Sequence, residues 1–171
     1  ANAQTTMSGV YNVTVTTAQG CTATAVSNVS VIPLPQPVAL NSSPNCLGSN
    51  LTFTGSGGVT YNWSGPNGFA SGSQFPVIPN VQLAAGGVYT LIVTAGTCSN
   101  VTTTSVTINP LPVPTATSNS AVCLLQAINL SGTGGVSYSW SGPGGFTSGI
   151  QTPSIAVAQN TNSGNYTLTV T

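Results

Sequence analysis

The chain has 171 residues and contains no Lys, Arg, Asp, Glu or His, so its formal net charge is zero. Globular proteins are about one quarter charged. Because no basic side chain is present to neutralise phosphate, we predict no nucleic-acid partner and no electrostatic attachment to anionic lipid. Most side chains that act as general acids and bases are also missing. We therefore predict a protein that is not an enzyme, with no catalytic residues, no cofactor and no metal site.

Short runs of alternating apolar and polar residues follow one another along the chain. Such runs, bounded by Gly, Pro and Asn, predict β-strands. No apolar run approaches the roughly 20 residues of a membrane-spanning helix, so no membrane insertion is expected. In the central part of the chain the pattern predicts strands at 36–42, 49–55, 58–64, 73–78, 87–94 and 100–108.

The sequence repeats with a period of one small domain. The segment "CLGSNLTFTGSGGVTYNWSGPNGFASG" from Cys46 returns from Cys123 as "CLLQAINLSGTGGVSYSWSGPGGFTSG", 77 residues later, and Cys21 and "PLP" return at the same offset. The two "PLP" segments predict short stiff linkers between end-to-end domains. We predict that 1–32 forms the last two strands of a domain, that 36–109 is complete, and that 113–171 lacks its final strand.

Several ordered motifs resemble a known class of module. "YNWSGPNGF", "YSWSGPGGF", "GVYTLIVT" and "GTCSNVTTTSVTI" are similar to the tandem immunoglobulin-like or PKD-like modules of large exported proteins in Bacteroidota and related bacteria. The resemblance covers essentially the whole chain. It implies all-β, antiparallel immunoglobulin-like sandwiches arranged end to end, at the surface of a bacterium or outside it. It also implies inward-facing tryptophans and tyrosine corners, which place Trp63, Trp140, Tyr89 and Tyr166 in the core.

Four cysteines without His or acidic partners favour disulfides over zinc, and disulfides indicate an oxidising, exported location. Cys46 and Cys98 fall within one period, and we predict a disulfide between them. Cys21 and Cys123 then lack partners in their own domains. Two alternatives remain open. Either the strand around 22–32 of one subunit completes the open sheet of the next, with Cys21 bonded to Cys123, or the chain is a window from a longer tandem array.

These observations predict a structural subunit of an extracellular fibre or cell-surface stalk that assembles with itself, head to tail, by strand pairing and disulfides. The absence of net charge removes the repulsion that keeps proteins monomeric. A second prediction is an adhesive or carbohydrate-binding module, in which Phe69 and Phe146 of the "SGPNGF" and "SGPGGF" hairpins contact glycans. A third is an accessory module of a larger exported enzyme.

Overall fold

The computed structural model describes residues 2–171. The chain divides into two compact units, the first ending at Asn109 and the second spanning Pro110–Thr171. The regular structure of the described residues consists of β-strands and short 3₁₀ turns. Among these residues no helix is long and apolar enough to cross a bilayer. The predicted all-β class is confirmed.

The first unit begins with a β-hairpin. A 3₁₀ turn at Thr5–Met7 leads into β1 (Gly9–Thr16), which pairs antiparallel with β2 (Thr22–Val29). Every residue of both strands is exposed to solvent. The hairpin therefore has backbone pairing but no second layer of side chains to cover either face.

The rest of the first unit is a two-layer sandwich. One sheet has the order β3-β5-β8 and the other β10-β9-β6-β7, and all pairs within them are antiparallel. A short parallel pair, β4 with β11, lies beside them. The strands are β3 (Val38–Asn41), β4 (Asn45–Cys46), β5 (Leu51–Ser56), β6 (Thr60–Ser64), β7 (Ala70–Ser71), β8 (Val77–Ile78), β9 (Gly87–Ala95), β10 (Cys98–Val106) and β11 (Ile108–Asn109).

The core of this sandwich follows from the alternation of its strands. Alternate residues of β5 and of β9 are buried, as the period of two along a strand requires. Trp63 lies at the centre, and its ring centroid is 5.1 Å from that of Phe53. The fully buried side chains are Leu51, Phe53, Trp63, Val81, Tyr89, Leu91 and Val93.

The second unit repeats this plan with fewer strands. Its two sheets have the orders β12-β13-β16 and β15-β14-β17. Leu130, Trp140 and Ala158 are buried between them. The strands are β12 (Thr115–Ser118), β13 (Ile128–Thr133), β14 (Tyr138–Gly142), β15 (Phe146–Ser148), β16 (Ser154–Ile155) and β17 (Thr167–Val170).

The strand pattern agrees with the sequence at the long strands and differs at the short ones. The six predicted strands of the central domain are present, with shifted ends. The last predicted strand is divided at Thr107 into β10 and β11, and the two-residue strands β4 and β7 were not predicted. Two residues are too few to show the alternation that predicts a strand. Whether such a short segment pairs depends on partners that are distant in the sequence.

Candidate functional site

The second unit has an open edge where the first has a strand. In the first unit β9 pairs with β6 on one edge and with β10 on the other, along nine residue pairs from Cys98↔Ala95 to Val106↔Gly87. β17 corresponds to β9 at the 77-residue offset, and among the described residues it pairs with β14 alone. Its other edge therefore carries unpaired backbone donors and acceptors, which can template another strand.

A cleft of about 280 Å³ lies in the second unit, next to this edge. We call it the open groove. Residues of both polar and apolar character line it, among them Ser118, Ser120, Val122, Leu130, Ser163 and Tyr166. At the 77-residue offset Ser118, Ser120 and Tyr166 of the groove correspond to Asn41, Ser43 and Tyr89, which bond or pair with β10 and with Thr107 after it. We call β10 and β11 together the final strand, and the open groove corresponds to the place that this strand occupies in the first unit.

The complete sandwich shows how that final strand is held. Val106 is buried, and β11 pairs in parallel with β4, with Asn109 opposite Cys46. The side-chain amide of Asn41 donates hydrogen bonds to Thr104 Oγ1 at 2.7 Å and to the carbonyl oxygen of Ser105 at 3.0 Å. These bonds join the final strand to β3 in the opposite sheet.

A second clasp joins Ser43 to Thr107. The backbone N–H of Thr107 donates to Ser43 Oγ at 2.7 Å, and the Ser43 hydroxyl donates to the carbonyl oxygen of Thr107 at 3.2 Å. Ser120 is the equivalent of Ser43 in the second unit, and it lines the open groove. The groove thus retains a side chain that can hold a strand of the same kind.

β17 is less buried in the second unit than β9 is in the first. Tyr89, Leu91 and Val93 of β9 are fully buried. Their counterparts in the second unit, Tyr166, Leu168 and Val170, are only half-buried. Apolar area that the final strand covers in the first unit therefore remains in contact with water in the second.

The hairpin presents the complementary situation. Tyr11, Val13 and Val15 of β1 are 52%, 56% and 61% exposed, although their counterparts in β9 are fully buried. In β2, Val29 is 41% exposed, whereas its counterpart in β10, Val106, is 5% exposed. The hairpin strands therefore correspond in the repeat to β9 and β10, and the side chains that face inward in β9 and β10 are exposed in the hairpin.

Each repeat contains a tyrosine corner. The hydroxyl groups of Tyr11, Tyr89 and Tyr166 each donate to a carbonyl oxygen four residues earlier, at 2.8, 2.8 and 2.9 Å. A 3₁₀ turn precedes the tyrosine in every case. The acceptors are Met7, Ala85 and Asn162. Burial raises the pKa of the Tyr89 hydroxyl above its ordinary value.

Four aromatic side chains are buried, namely Phe53, Trp63, Tyr89 and Trp140. Trp63 and Trp140 are buried, and their indole N–H groups have no hydrogen-bond partner. Phe69, predicted as a glycan contact, is half-buried; its ring stacks on Phe53 and meets Tyr89 edge-on. Phe146, its counterpart, meets Tyr166 edge-on in the same way. Because each ring packs against another aromatic ring, each exposes only part of its surface to solvent.

The predicted disulfide between Cys46 and Cys98 is not formed, and all four thiols are free. Cys98 begins β10, whereas Cys46 lies opposite Asn109 at the far end of the same final strand. An extended chain rises about 3.3 Å per residue, so these positions are on the order of 30 Å apart. A disulfide needs Cα atoms about 4.4–6.8 Å apart. The intradomain pairing predicted from sequence is therefore wrong.

Sequence reasoning did not single out Val29, Asn41 or Ser163 as residues of an assembly site. The signal that identifies them is the 77-residue offset, applied residue by residue to the final strand and its neighbours. Among the described residues no group of three or more potential metal-ligating side chains lies together.

The sheet orders, the inward tryptophan of the third long strand and the tyrosine corners define immunoglobulin-like sandwiches. No protein-family model matches the chain, and neither does any curated protein. Solved structures similar to it include the amphioxus IgVJ-C2 molecule, at 18% identity and a TM-score of 0.43, covering 62% of this chain and 63% of that one.

Two further similar structures differ widely in origin. One contains three N-terminal domains of the bacteriophage RB49 highly immunogenic outer capsid protein, at 17% identity and a TM-score of 0.42, covering 90% of this chain and 62% of that one. The other is the mouse coronavirus receptor-binding domain complexed with its murine receptor, at 11% identity and a TM-score of 0.45, covering 78% and 90%. This chain spans less than two thirds of the amphioxus and phage chains. Because all three TM-scores are below 0.5, these similarities do not indicate a function for this chain.

Proposed function

We propose that this protein is a structural subunit of an extracellular fibre or cell-surface stalk, in which β2 of one copy fills the open groove of the next. The main support for this proposal comes from the first unit of the same chain. There β10 occupies the position that corresponds to the open groove, and β2 is the counterpart of β10 at the 77-residue offset. Such a contact joins different surfaces of two copies, so it does not close and extends into a filament.

The residues of β2 suit the groove. In β10 the residues that face inward alternate along the strand and end with the buried Val106. The residues of β2 at those positions are small or apolar: Ala23, Ala25, Ser27 and Val29. Insertion places Val29 where Val106 lies and exposes Val26 on the outer face, where Thr103 lies.

Assembly by this route exchanges one partner of β2 for another. β1 pairs with β2 in the register with which β9 pairs with β10, so β17 must replace β1 on the same edge. The two competing strands are nearly alike, "SGVYNVTVT" and "SGNYTLTVT". When β2 leaves β1, it loses backbone hydrogen bonds, and it gains a similar number from β17. The exchange therefore changes the free energy of backbone hydrogen bonding very little.

One side-chain clasp is also preserved by the exchange. Ser8 holds the end of β2 in the hairpin, because the backbone N–H of Val31 donates to Ser8 Oγ at 2.8 Å. Ser163 corresponds to Ser8 and lines the open groove. It can therefore accept the same hydrogen bond from Val31 after insertion.

Burial of apolar surface favours the inserted state over the hairpin. Burial of a valine contributes about 1.5–3 kcal/mol, so moving Val29 from its exposed place to that of Val106 contributes roughly 1 kcal/mol. Further burial of Tyr166, Leu168 and Val170 adds to this. Neither strand edge carries a Lys or an acidic residue to oppose pairing.

The location outside a bacterial cell is supported by the motif resemblance, and the disulfides that would indicate an oxidising compartment are not formed among the described residues. The core position of Phe69 and Phe146 gives no independent support to glycan binding. The proposed partner is a second copy of the chain, and the proposed role is non-catalytic.

The test uses a labelled peptide of residues 22–32 and the full chain in reducing buffer. We expect the peptide to bind, as measured by fluorescence anisotropy, because it offers β2 free of β1. We also expect the full chain to form oligomers whose mass rises with concentration in analytical ultracentrifugation, and the peptide to limit their growth. Failure of the peptide to bind overturns the proposal.

Two valine variants supply a matched control. Val29→Asn places a polar side chain at the inward position, and we expect at least about tenfold weaker peptide binding, corresponding to 1.4 kcal/mol. Val26→Asn alters the outward position and is expected to bind normally. A full chain that stays monomeric although the peptide binds would show that the strand comes from a longer tandem chain rather than from a second copy.

A further inference from the structure

Cys98 lies close to Ile32, which follows the end of β2. Its Sγ atom lies 3.8 Å from the carbonyl oxygen of Ile32. The side-chain amide of Asn100 holds the same linker, donating to the carbonyl oxygen of Pro35 at 3.0 Å, and Pro35 is buried. Cys98 is therefore fixed beside Ile32 within the first unit.

Cys46 lies next to Asn109, the last residue of β11. Cys46 pairs with Asn109, and the backbone N–H of Leu47 donates to the carbonyl oxygen of Asn109 at 2.8 Å. Ile32 is the counterpart of Asn109 and Cys123 is the counterpart of Cys46 at the 77-residue offset. When β2 fills an open groove in the register of β10 and β11, Ile32 therefore comes opposite Cys123, with about 4.8 Å between the paired strands.

These two relationships converge on Ile32. One thiol, Cys98, already lies against this residue, and the other, Cys123 of the copy that receives the strand, arrives beside it. We propose that Cys98 of the copy that donates β2 forms a disulfide with Cys123 of the copy that receives it. This inference rests on the proposed strand donation and names the covalent bond that makes the junction permanent.

The geometry argues against the pairing of Cys21 with Cys123 that the sequence suggested. On insertion Cys21 takes the place of Cys98 at the start of the final strand, and Cys123 keeps the place of Cys46 at its end. These places are on the order of 30 Å apart, as for Cys46 and Cys98.

The bond forms by oxidation of two thiols. Cys98 and Cys123 give up two protons and two electrons as their sulfur atoms join. A small-molecule disulfide such as oxidised glutathione accepts them, its S–S bond breaks, and two glutathione thiols leave. Cys123 is exposed and Cys98 is half-buried, so both are accessible to the oxidant before assembly.

The experiment compares two variants that keep only two cysteines each. Cys21→Ser/Cys46→Ser retains Cys98 and Cys123, and after treatment with oxidised glutathione we expect a ladder on a non-reducing gel that collapses with reductant. Cys46→Ser/Cys98→Ser retains Cys21 and Cys123, and we expect no ladder. The two variants differ in which thiol can meet Cys123, and in both the serines replace solvent-accessible cysteines.

Sedimentation of both variants in reducing buffer separates the two proposals. If they assemble without covalent bonds but only the Cys21 and Cys123 variant forms a ladder, the disulfide assignment is overturned and strand donation stands. If neither variant assembles in reducing buffer, strand donation fails. Mass spectrometry of peptides linked between Cys98 and Cys123 identifies the bond, with pepsin as the protease because the chain offers trypsin no Lys or Arg.

Discussion

The hydroxyl of Tyr89 donates a hydrogen bond of 2.8 Å to the carbonyl oxygen of Ala85, and both residues are buried. The same bond is present from Tyr11 to Met7, although this tyrosine stands in an exposed hairpin. The corner is therefore formed by the local chain, the 3₁₀ turn followed by the strand, and the sandwich adds burial to it. This separation of local and tertiary contributions can be measured.

Removal of the two hydroxyls should have unequal effects. We expect Tyr89→Phe to lower the free energy of unfolding of the central sandwich by about 1–3 kcal/mol, because it leaves the buried carbonyl of Ala85 without its partner. Tyr11→Phe should change it by less than about 0.5 kcal/mol, since water replaces an exposed partner. Urea unfolding followed by tryptophan fluorescence measures both. Equal losses would contradict the distinction between buried and exposed corners.

Stability should be nearly independent of pH over the acidic and neutral range. The chain has no carboxylate, imidazole or amine side chain to couple folding to protons. We expect a melting temperature nearly constant from about pH 3 to 9. A steep loss in acid, measured by circular dichroism, is the contrary outcome.

In alkali the stability should fall, and Tyr89 should contribute. Burial raises its pKa in the folded state above the ordinary 10.0. A raised folded-state pKa means that the contribution is fully present below the unfolded pKa and is lost as pH rises through the folded pKa. The loss should therefore begin above about pH 10. Tyr89→Phe should show a shallower decline than the parent; an identical alkaline profile would refute this assignment.

Gly65 should resist replacement because of Tyr89. A Cβ atom at Gly65 would lie 2.3 Å from Cδ1 of the Tyr89 ring, and that ring is held in the core. We expect Gly65→Ala to destabilise the sandwich by about 1–3 kcal/mol. Gly72→Ala is the matched control, since its Cβ finds no heavy atom nearer than the Tyr61 carbonyl oxygen at 3.8 Å. Thermal unfolding of the two variants tests the difference.

Asn41 should be required to hold the final strand in the complete sandwich. Its amide bridges to Thr104 and Ser105 of β10. Asn41→Ala removes both of these bonds and a third, in which the Ser43 N–H donates to Asn41 Oδ1 at 2.7 Å. We expect a loss of about 1–3 kcal/mol, with faster hydrogen exchange concentrated in β10 and at Ser43. Ser118→Ala alters the equivalent position of the second unit and removes only a 3.4 Å hydrogen bond from the Ser120 N–H, so we expect a loss of less than about 0.5 kcal/mol. Uniformly faster exchange across the sandwich would contradict a local role.

Much of the architecture was determined by the sequence alone. Alternation of apolar and polar residues predicted the long strands, and the 77-residue repeat predicted that the second unit lacks its final strand. Both signals are local or repetitive, because a strand buries alternate residues wherever one of its faces meets a second layer.

Only the tertiary structure decided how the cysteines and the open groove are related. Distance along the chain suggested that Cys46 and Cys98 belong together, yet the final strand runs the length of the sandwich and places them at opposite ends. The same fold brings Cys98 to Ile32, 66 residues away. The periodicity of the sequence shows which residues belong to one repeat. Whether two thiols are close enough to form a disulfide depends instead on where the strands begin and end in space, because each residue of a strand adds a fixed rise.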